Sequence, residues 1–152
     1  VLPAYPTPAG VPDARRYLDP STEFPVTRLT SPSYTSTLPR YFCRVVGRRS
    51  NYVLFASDRF GSRQVLRMDL KTLQARAVSE AAELNPDLIS LLPDERSYCY
   101  FDGGSLMLAP PGGGKGRLLW QVAAGFEPGD AMAIADDSQN VAVVERRGSR
   151  HR

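Results

Sequence analysis

Two arginines in one short segment are the side chains in this sequence best suited to bind a ligand. Residues 57–63 read Ser-Asp-Arg-Phe-Gly-Ser-Arg and separate two apolar runs, as a turn between strands would. A guanidinium group is a planar fork of donors that matches a carboxylate, so Arg59 and Arg63 are candidate substrate-binding residues for an acidic ligand. The more ordinary alternative is structural: Asp58 bonds the turn backbone, and Arg59 braces a neighbouring sheet.

Two other features resemble reactive sites but have simpler explanations. The run Pro-Pro-Gly-Gly-Gly-Lys-Gly at 110–116 lacks the Ser or Thr and the following helix of a phosphate-binding loop, so it predicts a hairpin loop. Four acidic residues close in sequence suit acid–base chemistry or a hard cation, although turn positions explain them more simply. They are Glu127, Asp130, Asp136 and Asp137.

Metal and thiol chemistry have little support in this chain. His151 is the one histidine, so there is no histidine cluster with the spacing of metal ligands. We therefore assign no metal site and no cofactor to the chain, and the catalytic residues stay unknown. Cys43 and Cys99 lie in apolar runs, where buried free thiols are favoured over a disulfide.

Composition excludes several classes of function. The chain has 152 residues, of which 42% are hydrophobic, and these values are typical of a globular protein. The net charge of +3 comes from scattered arginines rather than a basic face, so no nucleic acid partner is expected. No apolar run is long enough to cross a membrane. Because the chain begins with Val1, a leader could have been removed; we expect a cytoplasmic protein, with the periplasm as the alternative.

The arginine-bearing turn belongs to a repeated pattern of strands. The apolar runs that begin at Tyr52, Tyr98 and Val141 superpose, with 46 residues between the first two and 43 between the last two. Four predicted strands per repeat and a period in the forties are the signature of a β-propeller blade. The predicted strands are 41–46, 52–57, 64–69, 73–78, 87–92, 97–101, 105–109, 117–122, 131–135 and 140–145.

We therefore predict an all-β fold: a β-propeller fragment with about two and a half four-stranded antiparallel blades of a larger propeller. Helix is expected to be absent, apart from one turn near 79–84. Residues 26–30 resemble the fourth strand of a blade, which predicts that they close the ring beside blades in the rest of the protein and are poorly paired in this chain alone. The alternative is a complete β-sandwich of ten or so strands. The predicted units are an extended arm (1–25), a closing strand (26–30) and blades at 31–80, 81–124 and, in part, 125–152.

The N-terminal half resembles the oligogalacturonate lyase family. The stretch Tyr-Leu-Asp-Pro-Ser-Thr at 17–22, followed by Val-Thr-Arg-Leu-Thr at 26–30, matches the start of those enzymes in order and type. The Phe-Ala-Ser-Asp-Arg and Met-Asp-Leu segments continue the match, but they also resemble Tol-type propellers. The resemblance covers 17–79 and fades to a blade pattern beyond.

This resemblance implies a seven-bladed propeller that cleaves short pectin fragments by β-elimination. In such lyases several histidines and a glutamine hold a divalent metal, such as manganese, against a uronate carboxylate, and a basic side chain removes the neighbouring proton. Because this chain has one histidine, none of those ligands can be placed on it.

Three interpretations of function stay open. The chain is the N-terminal part of an oligogalacturonate lyase-like enzyme, a carbon–oxygen lyase acting on an acidic oligosaccharide, with its catalytic residues elsewhere. Alternatively, it belongs to a non-catalytic Tol-type propeller that binds a protein or glycan. The third is a lyase relative without a metal site. In each case this chain alone is expected to be inactive, and its nearest partners are the remaining blades of the same protein.

Overall fold

A computed structural model of the protein describes residues 15–148 and the backbone of residues 150–151. These residues form β-strands and connecting turns, and no helix occurs among them, so none there has the length and apolar character needed to cross a bilayer. The all-β prediction is confirmed, and the helical turn expected near 79–84 does not form. Residues 1–14, most of the predicted N-terminal arm, lie outside the described residues.

The first two strands form a separate hairpin. Strand β1 (Arg15–Leu18) pairs antiparallel with β2 (Pro25–Arg28), and most of both strands is exposed to solvent. Part of the predicted closing strand is therefore paired within this chain. Our expectation that 26–30 would lack a partner is wrong, because residues of the predicted arm supply one. Whether this hairpin closes a ring stays a prediction.

The first four-stranded sheet carries the arginine-bearing turn. Its two central strands have the bounds that the apolar pattern predicts, and the first of them, β4 (Tyr52–Ser57), is buried along its whole length. Burial on both faces explains the continuous apolar run, because a strand with one exposed face would alternate apolar and polar residues. In spatial order the antiparallel strands are β3 (Ser36–Thr37), β4 (Tyr52–Ser57), β5 (Gln64–Asp69) and β6 (Ala75–Ala77).

Two further antiparallel sheets repeat this plan. Each is a meander in which strands adjacent in sequence are adjacent in space. The second sheet contains β7 (Leu84–Leu91), β8 (Tyr98–Asp102), β9 (Ser105–Ala109) and β10 (Arg117–Gln121). The third contains β11 (Glu127–Ile134), β12 (Val141–Arg147) and β13 (Arg150–His151).

The three sheets stack face to face in series. One apolar cluster joins the first and second sheets through Leu54, Val65, Ile89 and Tyr98, among others. Another joins the second and third sheets and includes Met132. Strand β7, the first of the second sheet, contacts β4 and β5 of the first sheet and β11 of the third, so it lies where the neighbouring sheets converge. This serial stacking is the arrangement of propeller blades, and it differs from the two facing sheets of the sandwich alternative.

The predicted first strand at 41–46 is wrong. The first sheet instead begins at β3, and the chain leaves the sheet at Pro39, which has no N–H to donate and is buried. The chain returns only at Val45 and Val46, which pair with Leu54 and Val53. Between these points, residues 40–44 cross to the free edge of β7. We call residues 40–44 the inner segment.

The hairpin turn and the turn between β5 and β6 share one structure. In the first, the Asp19 carboxylate accepts hydrogen bonds from the backbone N–H groups of Ser21 and Thr22, each at 2.9 Å. In the second, Asp69 accepts from Lys71 and Thr72 at 2.9 and 2.8 Å. The next residue in each turn, Glu23 or Leu73, has a positive φ, of 59° and 60°. The hairpin therefore has the form of the outer two strands of a blade.

Candidate functional site

The turn after β4 is held in place by a neighbouring loop. The Asp58 carboxylate accepts a 2.9 Å hydrogen bond from the backbone N–H of Thr35, and Ser57 and Ser36 share a 3.0 Å hydroxyl–hydroxyl bond. Gly61 completes the turn by donating its N–H to the Asp58 carbonyl oxygen, with a φ of 105° that side chains other than glycine rarely adopt. The Asp58 carboxylate thus bonds the backbone of the preceding loop, whereas the structural alternative had it bond the backbone of its own turn.

The two candidate arginines occupy different environments on this turn. Arg59 is half-buried, lies against the Phe60 ring at 5.6 Å, and lines a narrow pocket with Tyr34 and Ser31. Arg63 is exposed, and its guanidinium has no hydrogen bond or ion pair within the part of the chain that the structure describes. The turn therefore presents one ordered arginine and one that points into solvent.

The glycine-rich loop at 110–116 is structural, as the sequence predicts. It turns through a hydrogen bond from the Gly113 N–H to the Pro110 carbonyl oxygen. The Pro111 carbonyl accepts a 3.3 Å bond from the Arg67 guanidinium, which also stacks on Tyr52 at 4.1 Å. These contacts join the loop to the first sheet.

The four acidic residues do not form one site. Glu127 lies at the start of β11 and pairs with Arg146 at 3.4 Å, whereas Asp136 and Asp137 lie beyond the other end of that strand. Hydrogen bonds from the backbone N–H of Gln139 lower the pKa of the Asp137 carboxyl, which is typical of a turn residue. Over residues 15–148, no three His, Cys, Asp or Glu side chains are grouped so as to hold a metal ion. The described residues therefore do not fit a metal site.

A different group of functional side chains lies on the inner segment, which reads Arg-Tyr-Phe-Cys-Arg. The Arg40 N–H donates to the Asp87 carbonyl oxygen at 3.0 Å, and the Arg44 N–H donates to the Ser90 hydroxyl at 3.0 Å. The Leu91 N–H in turn donates to the Arg44 carbonyl oxygen at 2.7 Å. The inner segment is thus fixed along the edge of β7 by backbone bonds at both of its ends.

Between these bonds the inner segment makes a tight turn that displays two aromatic rings. The Cys43 N–H donates to the Arg40 carbonyl oxygen at 2.9 Å, which places Tyr41 and Phe42 at the corners of the turn. Their rings meet edge to face at 5.5 Å. Tyr41 is 98% exposed and Phe42 is 43% exposed, although both side chains are aromatic. The strand predicted at 41–46 gave no sign of this display, because neighbouring side chains of a strand point to opposite faces of the sheet.

Charged groups border the aromatic pair. The guanidinium of Arg40 lies 3.2 Å from the Asp87 carboxylate, with both side chains about half exposed. Arg44 is exposed, and among the described residues no ion pair involves its guanidinium. The Cys43 side chain packs against the apolar cluster that joins the second and third sheets, and burial raises the pKa of its thiol. The accessible face of the inner segment is therefore aromatic and basic.

Comparison with known proteins identifies solved structures that share this fold. No family model and no curated protein matches the chain. Among solved structures, an oligogalacturonate lyase in complex with manganese superposes with a TM-score of 0.82 and 26% identity over 88% of this chain. The chain has an oligogalacturonate lyase-like propeller fold. The resemblance seen in the sequence and the predicted fold class are both confirmed.

A second lyase structure agrees on the fold. The oligogalacturonate lyase of Vibrio parahaemolyticus superposes on 87% of this chain with a TM-score of 0.81 and 21% identity. This chain spans 36% and 35% of the lengths of the two lyase chains. It therefore corresponds to about a third of an oligogalacturonate lyase-like propeller.

Proposed function

We propose that this chain is the N-terminal part of an oligogalacturonate lyase-like enzyme that cleaves pectin-derived oligouronides by metal-assisted β-elimination. The observation that carries the proposal is the superposition on a manganese-bound oligogalacturonate lyase over 88% of the chain at 26% identity. Because no described group of side chains fits a metal, we place the metal ligands and the base outside this chain. A divalent ion there would polarise the uronate carboxylate.

In this proposal the chain contributes substrate contacts. The arginines on the turn after β4 suit a substrate that carries one carboxylate per sugar, because guanidinium–carboxylate pairs combine charge with two parallel hydrogen bonds. Arg59 and Arg63 are the residues that we propose on the turn after β4. Arg59 is held by its neighbours, whereas ordering the exposed Arg63 side chain on binding costs entropy. Arg59 is therefore the stronger candidate of the two.

The experiment that tests this function uses the complete protein and trigalacturonate with added manganese. The expected result is a rise in absorbance from the unsaturated product, which is lost when a chelator removes the metal. The matched control is the 152-residue chain by itself, for which we expect no rate. A complete, folded protein that binds trigalacturonate but never cleaves it would support a binding propeller instead. Metal-dependent cleavage by the 152-residue chain alone would show that the catalytic residues are misplaced.

A further inference from the structure

The inner segment has a composition and position that the fold alone does not require. Exposing an aromatic ring in a monomer forgoes the burial that stabilises most aromatic side chains. Here Tyr41 is almost fully exposed although the backbone on both sides of it is fixed to β7. A rigid turn that holds a ring in solvent is preorganised to receive a flat apolar surface, because little entropy remains to be lost on binding.

Its place in the propeller is the convergent edge of two blades. The first strands β3 and β7 lie at the ends of their sheets, and β7 contacts both neighbouring sheets. Blades of a closed propeller surround a central channel, and the edges that converge face that channel. The inner segment runs along this edge beside Asp87, near the middle of β7. In a complete propeller the aromatic pair, which lies on the free edge of β7, would therefore border the channel.

The charged side chains beside the two rings favour an acidic ligand over a neutral one. Arg40 and Arg44 flank the rings, and the one described acidic partner, Asp87, engages Arg40. A sugar ring offers an apolar C–H face to an aromatic side chain, and a uronic acid adds a carboxylate that matches a guanidinium. A neutral sugar would leave the Arg44 charge without a partner. The chemistry of the inner segment thus fits an acidic pyranose.

We propose that the inner segment is a uronide-binding subsite, in which Tyr41 and Phe42 stack on a sugar ring and Arg44 pairs with its carboxylate. Arg40 is a positioning residue, since its ion pair with Asp87 at 3.2 Å helps to hold the turn. This inference rests on the proposed function for its ligand, but on the geometry of residues 40–44 for its location. It is separate from the turn that carries Arg59 and Arg63.

The test measures binding to the complete protein by calorimetry with two probes, trigalacturonate and its full methyl ester. Tyr41→Ala and Phe42→Ala should each weaken binding of both probes about tenfold, the usual effect of removing an aromatic anchor. Arg44→Gln should weaken only the acid and so remove the preference for acid over ester. The matched control is Tyr17→Ala, because Tyr17 is also an exposed tyrosine but lies on the hairpin.

The outcomes separate this inference from the function on which it rests. If wild-type protein binds trigalacturonate and Tyr41→Ala binds it equally well, the subsite is wrong and the proposed function stands. If wild-type protein binds neither probe, both are overturned. Because Tyr41 is 98% exposed, its replacement is a surface change that leaves the unfolding transition in place. A Tyr41→Phe variant, which keeps the ring, should retain binding; its loss would contradict stacking.

Discussion

The hydroxyl of Tyr98 donates a 2.6 Å hydrogen bond to the carbonyl oxygen of Val78, and so joins the second blade to the end of the first. Tyr98 is fully buried and stacks on Tyr100 at 5.5 Å. Burial disfavours the charged phenolate and raises the pKa of Tyr98 far above its ordinary value. The bond is therefore one between neutral groups in the interface of two blades.

Removing this hydroxyl should destabilise the protein without opening a cavity. Tyr98→Phe leaves the Val78 carbonyl oxygen buried and unpaired, which costs about 1–3 kcal/mol of unfolding free energy. Urea unfolding followed by circular dichroism measures the change. The matched control is Tyr100→Phe, whose hydroxyl makes no hydrogen bond within the described residues and which should cost less. Equal losses in the two variants would contradict a specific role for the Tyr98 bond.

A buried amide at the start of β5 predicts a larger loss. Gln64 donates to the Ala81 carbonyl at 2.8 Å and accepts from the Ser79 hydroxyl at 2.7 Å and the Ala81 N–H at 2.8 Å. Gln64→Leu would leave these buried partners unsatisfied, so we expect a loss of about 2–5 kcal/mol by urea unfolding. Gln74→Leu is the control, since Gln74 is exposed. A Gln64 variant as stable as the control would show that water replaces the amide.

The two thiols should differ in reactivity. Both are free, but Cys99 is fully buried, whereas Cys43 is partly accessible. With a thiol reagent near neutral pH, Cys43 should react first and Cys99 only when the protein opens. Mass spectrometry of the labelled peptides identifies the order, and Cys43→Ser should remove the fast phase. A fast phase that persists in Cys43→Ser would mean that the second blade is open in solution.

Cys99 also predicts a loss of stability at alkaline pH. Burial raises the pKa of its thiol from 9.0 to about 12. The unfolded chain releases this proton at lower pH than the native protein does, so native stability falls as pH rises from about 9 towards about 12. Cys99→Ala should be less stable at neutral pH, because it leaves a cavity, yet should lose less stability over this alkaline range. Parallel curves of unfolding free energy against pH for the two proteins would refute the linkage.

The N-terminal hairpin should be the least protected sheet in this chain. A two-stranded ribbon with mostly exposed faces is marginally stable in water, and Arg15–Leu18 is exposed throughout. Amide hydrogen exchange at Thr27 should therefore be much faster than at Leu54 or Phe55, which are buried in β4. Equal protection of Thr27 and Leu54 in the monomeric chain would contradict this. If the hairpin completes a blade in the whole protein, protection of Thr27 should rise there.

The central strands of the first blade were predictable from sequence, and the inner edge of that blade was not. The runs at 52–57 and 64–69 are continuous and apolar because both faces of the sheet are covered, so their ends coincide with turn residues. Residues 41–46 have the same apolar, β-forming composition, but Pro39 and the available edge of β7 draw them out of the first sheet. Strand propensity does not say which edge a segment pairs with.

The candidate site, like the fold, was predictable from sequence only in part. Arg59 and Arg63 could be predicted because Asp, Gly and Ser residues mark their turn in the sequence. The exposure of Tyr41 could not, because it depends on the bond between Arg40 and Asp87, which are 47 residues apart in the chain. The hairpin also has a signal in the sequence. Asp-x-x-Thr occurs at Asp19 and again at Asp69 with the same hydrogen bonds, and it marks the turn before a fourth strand.

The crossing of residues 40–44 from the first blade to β7 also bears on how the protein unfolds. In a stack of meanders each blade contacts only its neighbours, so blades can open one after another. The Arg44 backbone donates to the Ser90 hydroxyl and accepts from the Leu91 N–H, and both bonds join residues more than forty positions apart. If residues 40–44 unfold with the first blade, these bonds break and the edge of β7 in the second blade becomes exposed. The two blades should therefore melt as one cooperative unit, with the third blade free to fray first.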